Sequence, residues 1–245
     1  MIDHVTGHNR RNLFRIGAAA LLAGALPWRA SAQGADKIKI GVIGSGKIGG
    51  TIGGLWVKAG YPVLFSSRHP EELKPLTDGL GPLAKAGTVE DALAFGDVIF
   101  LAVPYKAIPQ ISKDYGPKFA GKIVLDADNA TINRDGEELV KETKEKGIGL
   151  TTASYFPGAH VVRAFNSMGV TYFQKEAHRT GELMAIPIAG DDKHAIEVAT
   201  QLIKDAGFDA VAVPLARAQE FAQGGPIYGQ QLTAKELRAK FGLTQ

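Results

Sequence analysis

Apolar and polar residues along the chain form two alternating patterns. Short, nearly continuous apolar runs recur, and the stretches between several of them place apolar residues three or four positions apart. A short apolar run predicts a strand buried on both faces, as in parallel sheets, whereas the wider spacing predicts amphipathic helices. Strands are predicted at residues 38–43, 62–66, 83–86, 98–103, 123–126, 160–165, 183–188 and 210–213.

Helices are predicted between these strands. The clearest runs from Lys47 to Ala59 and is stopped by Gly60, and Thr88 is placed to cap another. Strand and helix alternate along the chain, which predicts an α/β fold with a doubly wound parallel sheet and right-handed crossovers. Residues 216–245 show no strand pattern and form a small C-terminal extension, with a helix predicted at 232–241.

The N-terminal segment has the three parts of an export signal. Arg10 and Arg11 precede an uncharged apolar run at residues 16–26, and an Ala30-Ser31-Ala32 site follows. The run is shorter than the roughly 20 residues that span a bilayer. Paired arginines before a weakly apolar run indicate the twin-arginine type. We therefore predict a signal peptide at residues 1–32, cleavage after Ala32, and a periplasmic or otherwise exported protein without a membrane span.

Charge and composition narrow the function. The 245 residues carry a net charge of +3, but residues 1–32 contain four arginines and one aspartate. The remaining chain is therefore neutral, which gives no electrostatic reason to expect nucleic acid or an acidic membrane as a partner. There is no cysteine, and the histidines are scattered, so neither a disulfide nor a metal site is predicted.

A glycine-rich loop follows the first predicted strand. It reads Gly44-Ser45-Gly46-Lys47-Ile48-Gly49 and opens the first helix, which is the context in which G-x-G-x-x-G binds a dinucleotide. Gly44 allows the tight turn, Gly46 lets the pyrophosphate approach the backbone, and Gly49 lets helix and strand pack closely. A P-loop is disfavoured because no Gly-Lys-Ser/Thr ends the loop. The alternative is a glycine turn that binds nothing.

The residues after the second strand favour NADP over NAD. NAD sites usually carry a carboxylate there for the ribose hydroxyls, but none occurs between Asp36 and Glu71. The strand is followed instead by Ser67 and Arg68, which can bind a 2′-phosphate through charge-assisted hydrogen bonds. Arg68 could otherwise be an ordinary exposed cation.

Six segments together resemble the NADP oxidoreductases that depend on the deazaflavin coenzyme F-420. They are residues 44–50, 66–68, 101–105, 126–129, 162–166 and 189–192. The resemblance covers most of residues 37–217, and only the combination is specific, since single segments recur in pyrroline-carboxylate reductases and related enzymes. The export signal would make this chain an exported variant, and residues 219–245 depart from the family pattern.

The resemblance implies a Rossmann NADP-binding domain at residues 33–215. It also implies a second redox ring against the nicotinamide, so a flavin or deazaflavin is the expected second substrate. The predicted cofactor-binding residues are Gly44, Ser45, Gly46, Lys47, Ile48, Gly49, Ser67, Arg68, Ala102, Val103, Pro104 and Asn129.

Residues after other strand ends are candidates for the acceptor side of the crevice. They are Asn166, Ser167 and Met168, with Asn129 near them and Tyr105 as a wall of the nicotinamide pocket. The asparagines could instead serve turn geometry, and Tyr105 could simply pack.

Together these patterns predict an NADP-dependent oxidoreductase that transfers hydride between NADP(H) and a flavin- or deazaflavin-like small-molecule acceptor. Transfer between two ring cofactors requires close alignment and a dry pocket but no protein acid or base, so no catalytic residue is assigned. The alternative is a non-catalytic NADP-binding protein that has lost its acceptor site. The sequence leaves a homodimer open.

Overall fold

Eight strands form a single sheet in the computed structural model of the protein, which describes residues 37–243. Their order across the sheet is β3-β2-β1-β4-β5-β6-β7-β8. The predicted signal peptide, residues 1–32, lies outside the described residues. The strands are β1 (Ile40–Ile43), β2 (Val63–Ser66), β3 (Ala84–Gly87), β4 (Val98–Leu101), β5 (Ile123–Asp126), β6 (His160–Arg163), β7 (Ala185–Ala189) and β8 (Asp209–Val213).

The predicted α/β fold is confirmed, and the central strands show why. Every residue of β1, β2, β4 and β5 is buried, as the continuous apolar runs require. These strands pair in parallel, with Ile40 opposite both Val63 and Val98. All eight strands occur near their predicted positions, and their bounds differ from the predicted ones by a few residues at most.

The predicted parallel sheet has one exception among the described strands. β7 runs antiparallel to β6, and Arg163–Ala189 is their single registered pair in the described sheet. On its other side, all five residues of β7 pair in parallel register with β8, although Pro187 inside β7 has no N–H to donate. An apolar run reports burial but not strand direction, so the sequence pattern could not reveal the reversal.

Helices cover both faces of the sheet. Trp56 of the first helix lies in the core of one face, packs edge-on against Phe100 with ring centroids 5.0 Å apart, and donates from Nε1 to the Leu202 carbonyl at 2.8 Å. The opposite face is packed separately, around residues that include Tyr105 and Phe221. The helices are α1 (Lys47–Lys58), α2 (Lys74–Leu80), α3 (Val89–Phe95), α4 (Ile108–Tyr115), α5 (Ile132–Asp135), α6 (Glu137–Lys146), α7 (Ile148–Tyr155), α8 (Val170–Glu176), α9 (Lys193–Asp205) and α10 (Ala234–Lys240).

The C-terminal extension packs onto the sheet. Thr233 caps α10 in a reciprocal capping box with Glu236, and Leu237 and Phe241 are buried in the core of the second face. The Ala185 N–H donates to the Leu232 carbonyl at 2.8 Å, which ties the extension to the start of β7. Within residues 37–243, no helix is both long and apolar enough to cross a membrane.

Candidate functional site

The glycine loop lies at the point where the strand order reverses. β1 has β2 on one side and β4 on the other, so the crevice at their carboxyl ends is the usual ligand position in such sheets. Gly44 turns the chain with φ of +97°, and a Cβ there would lie 2.2 Å from the Ala102 carbonyl oxygen. A Cβ on Gly49 would lie 2.0 Å from the Gly44 carbonyl oxygen. Both glycines are therefore required by close packing within the protein.

Gly46 is different, because nothing in the described protein accounts for it. Its φ of −74° is open to any residue, and a Cβ there would meet no atom within 4 Å. It is the N-cap of α1, a helix whose start carries no side-chain cap and no acidic residue in its first turn. The first backbone N–H groups of α1 therefore face a space that suits an anion such as a pyrophosphate. The loop fits the dinucleotide that its sequence predicts.

The end of β2 presents the predicted 2′-phosphate site. The Ser45 hydroxyl donates to the Ser66 carbonyl at 3.0 Å, which joins the glycine loop to this strand. The His69 N–H donates to Ser67 Oγ at 3.0 Å, so the Ser67 hydroxyl proton remains available for a ligand. Arg68 is exposed between them. The serine–arginine pair thus lies on the β2 side of the α1 N-terminus.

A cleft of about 360 Å³ opens on the other side of the α1 N-terminus. It extends past the carboxyl ends of β4, β5 and β6, which is where the nicotinamide half of a dinucleotide would extend from the loop. Its lining residues are Lys47, Ile48, Ala102, Val103, Pro104, Ala127, Asp128, Asn129, Arg134, Phe165, Asn166, Met168, Gly169, Val170 and Gln223.

Half of the predicted site residues line this cleft, and the others lie nearby or beneath it. The predicted lining residues that the structure brings together are Lys47, Ile48, Ala102, Val103, Pro104, Asn129, Asn166 and Met168. Gly44, Ser45, Gly46 and Gly49 form the loop itself, and Ser67 and Arg68 follow β2. Tyr105 does not line the cleft, because it is fully buried with its hydroxyl 3.0 Å from that of Thr152. Ser167 is also buried and outside the lining.

Asn129 joins three segments at the cleft. Its amide Nδ2 donates to the Asn166 carbonyl at 2.7 Å, and its Oδ1 accepts the Gln223 N–H at 3.2 Å. Phe165, just before Asn166, has φ of +60°, an uncommon conformation for a non-glycine residue that often marks a functional site. The asparagines therefore line the cleft, and the side-chain hydrogen bonds of Asn129 join distant segments rather than shape a local turn.

A buried charge cluster lies directly beneath the cleft. The fully buried Arg163 guanidinium forms an ion pair with Asp126 and donates a second hydrogen bond to the Asp128 backbone carbonyl. The Asp128 carboxyl accepts the Val103 N–H at Oδ1, at 2.7 Å. Burial, together with the neighbouring Asp126 carboxylate, raises the pKa of Asp128 well above its ordinary value, although Arg163 and the Val103 N–H oppose this. Asp128 is thus a candidate protonated acid at the cleft wall.

Sequence reasoning missed seven lining residues. They are Ala127, Asp128, Arg134, Phe165, Gly169, Val170 and Gln223. Asp128 and Phe165 stand next to predicted asparagines, so adjacency to a strand end was a usable signal for them. Gln223 lies 94 residues beyond its bonding partner Asn129 in the chain, and no local pattern marks it.

The sheet order, the glycine loop and the cleft define a Rossmann-type, dinucleotide-binding fold. Residues 39–130 match the model of the family described as NADP oxidoreductase, coenzyme F420-dependent. These residues extend from the start of β1 to just after Asn129, and so contain the loop, the β2 end and two of the strand ends at the cleft. The predicted family resemblance is confirmed.

A curated relative and a solved structure are also similar to this chain. Metalloreductase STEAP3 of Rattus norvegicus is 30% identical over 187 residues, which is 74% of this chain and 35% of the relative. The chain therefore spans about a third of that protein. The hypothetical protein SMa0349 from Sinorhizobium meliloti has a TM-score of 0.71 at 27% identity, covering 80% of this chain and 96% of its own.

A third comparison is to a protein from Arthrobacter sp. FB24 proposed to be an F420-dependent NADP reductase. It has a TM-score of 0.65 at 21% identity, covering 84% of this chain and 96% of its own. At that identity the comparison shows a shared fold.

Proposed function

We propose that the protein binds NADP(H) across the α1 N-terminus and exchanges hydride with a flavin- or deazaflavin-like acceptor in the adjoining cleft. The observation that carries this proposal is Gly46, whose missing side chain leaves open space at an uncapped helix N-terminus. The dinucleotide would supply the hydride, and the protein would supply binding, alignment and exclusion of water.

The residues have separable tasks in this proposal. The N–H groups of Lys47 and Ile48 bind the pyrophosphate, and Ser67 with Arg68 binds the 2′-phosphate. Val103 and Pro104 lie against the nicotinamide half, and Asn129, Asn166 and Met168 face the acceptor. Because Gln223 of the C-terminal extension also lines the cleft, the extension contributes to the acceptor side.

The acceptor class is tested by anaerobic stopped-flow oxidation of NADPH bound to the protein. FMN, FAD, a deazaflavin, a quinone and a cyclic imine serve as acceptors. Rapid oxidation by a flavin or the deazaflavin supports the proposal, and oxidation by the imine or the quinone alone contradicts the proposed acceptor class. Tight NADPH binding with no oxidation by any of them favours the alternative of a non-catalytic NADP-binding protein.

Arg68→Glu should weaken NADPH binding far more than NADH binding. A charge-assisted hydrogen bond is worth about 1.5–3 kcal/mol, so we expect the NADPH Kd to rise about 10- to 100-fold. NADH lacks the 2′-phosphate and should be affected by less than about threefold, as expected for an exposed charge. Fluorescence titration of both coenzymes measures this difference.

Lys74→Glu is the matched control for this charge reversal. Lys74 is exposed and begins α2, but it forms an ion pair with Asp78 and lies outside the proposed phosphate site. It should change neither Kd appreciably. Equal losses of NADPH and NADH affinity in Arg68→Glu would show that Arg68 does not recognise the 2′-phosphate.

Export is the other part of the proposal, and it is supported by the twin-arginine pattern of residues 1–32. Mass spectrometry of the secreted or periplasmic fraction should find a mature chain that begins at Gln33. An uncut N-terminus confined to the cytoplasm would contradict export and would leave the nucleotide proposal unaffected.

A further inference from the structure

The charge cluster beneath the cleft contains two carboxyl groups and one cation. Arg163 is fully buried, and it forms its ion pair with Asp126 rather than with the side chain of Asp128. Asp128 is 3% exposed, and its Oδ2 is buried with no hydrogen-bond partner among the described residues. The Asp128 carboxyl therefore has no counter-ion of its own, although one of its oxygens accepts a backbone N–H.

Four other charged side chains act on Asp128 or line the same cleft. Asp126 lies on its own strand end, Arg163 is on β6, and Arg134 is on α5, while Lys47 of α1 lines the same cleft. Arg134 is occupied by Asp135 and by the Asn129 carbonyl, so it is not a dedicated partner of Asp128. Burial and Asp126 raise the pKa of Asp128 and outweigh both arginines, so the carboxyl is held protonated at pH values where an exposed aspartate is ionised.

The two oxidation states of a nicotinamide differ by one charge at the ring. The oxidised ring carries a positive charge, and the reduced ring is neutral. A positive charge within about 4–6 Å of a carboxyl lowers its pKa, and the effect is strong where water is excluded. Asp128 lines the cleft beside Val103 and Pro104, where the proposed function places this ring.

We propose that Asp128 is a redox-linked proton site that is protonated beside NADPH and ionised beside NADP+. This inference rests on the proposed function. When NADP+ binds to the protonated protein, the carboxyl O–H bond breaks, its electron pair stays on the carboxylate, and the proton passes to the buffer. During turnover, the same proton becomes available as hydride leaves for a two-electron acceptor that also takes up a proton.

Calorimetric titration with each coenzyme, in two buffers of different ionisation enthalpy, measures the protons released on binding. Titration of the 2′-phosphate is common to both coenzymes and cancels in their difference. We expect NADP+ to release up to one more proton than NADPH. As the pH rises, the ratio of the NADP+ Kd to the NADPH Kd should fall by up to tenfold for each pH unit. This holds over the pH range in which Asp128 is protonated in the free protein and ionised in the NADP+ complex.

Asp128→Asn should abolish both effects, because the amide keeps an acceptor for the Val103 N–H but cannot release a proton. Asp114→Asn is the control, since Asp114 is an exposed carboxylate of α4 outside the cleft lining. It should behave like the parent protein. Equal proton release for the two coenzymes in the parent, or an unchanged difference in Asp128→Asn, would overturn the inference while leaving NADP binding intact.

A measurement on the free parent protein tests the inference even if Asp128→Asn fails to fold. Carbon-13 NMR of labelled aspartate carboxyls should show one buried group that titrates well above the ordinary aspartate range. If every carboxyl titrates in the ordinary range, the inference fails and the proposed function still stands. If neither coenzyme binds to the parent protein, both the proposed function and this inference fail.

Discussion

Gly46→Ala should fold about as stably as the parent protein and lose most of its affinity for NADPH. An added Cβ at this position meets open space in the protein alone, and the backbone conformation suits alanine. The cost to the helix N-cap should stay below about 1 kcal/mol. The same methyl group would occupy the position of the pyrophosphate, so we expect the binding energy to fall by about 1–3 kcal/mol, as in an overpacked site. Urea unfolding and fluorescence titration measure the two effects.

Two other glycines provide controls for this prediction. Gly49→Ala should destabilise the free protein by about 3 kcal/mol, because its Cβ would lie 2.0 Å from the Gly44 carbonyl oxygen and must displace backbone. Gly79→Ala also points into open space, but inside α2 and away from the loop, so it should leave NADPH binding unchanged. If Gly46→Ala binds NADPH like the parent protein, the α1 N-terminus is not the phosphate site.

Arg163→Met should destabilise the protein by about 3–5 kcal/mol, the usual cost of removing one partner from a buried ion pair. The substitution leaves the Asp126 carboxylate buried without its cation, and it removes the donor to the Asp128 carbonyl. Since Arg163 joins β6 to the chain leaving β5, the strand ends that carry Asp128 and Asn129 should also lose their alignment. Urea unfolding measures the free energy, and weaker NADPH binding by the folded fraction reports the lost alignment.

Two further variants separate charge from geometry in this cluster. The double variant Asp126→Asn with Arg163→Met removes both charges, so it should recover part of the stability that Arg163→Met loses. Arg163→Lys keeps the charge but cannot make both contacts in one planar group, so its stability should fall between those of the parent and Arg163→Met. A double variant that loses the full sum of the single losses would show that the ion pair is not the stabilising unit.

Local signals were sufficient for the fold class and the phosphate loop. The strands of the sheet centre are buried on both faces, and continuous apolar residues are the direct chemical requirement for that burial. The G-x-G-x-x-G spacing marks the loop by itself, and the contact that requires Gly49, with the Gly44 carbonyl oxygen, is local in the chain. The start of α10 was also predictable in outline, because Thr233 and Glu236 form a capping box three residues apart.

The acceptor side of the cleft was less predictable. Tyr105 comes shortly after a strand, where lining residues are expected. It is instead buried in the core of the second face, and its hydroxyl forms a hydrogen bond with that of Thr152. Gln223 carries no motif, and the fold of the extension brings its backbone to Asn129. Position after a strand end thus predicts proximity to the crevice, but only side-chain packing selects which residues face it.

The sequence by itself determined where strands and helices form and where the backbone turns at the glycine loop, and it predicts that the end of β2 binds a 2′-phosphate. These depend on interactions between residues close in the chain and on burial of alternate or continuous apolar positions. Only the tertiary structure decided the reversed direction of β7, the entry of Gln223 into the cleft, and the burial of Asp128 without its own counter-ion. Each of these depends on packing between segments that are distant in the chain. Such packing sets the local geometry and the exclusion of water, but it does not change the apolar periodicity from which strands and helices are predicted.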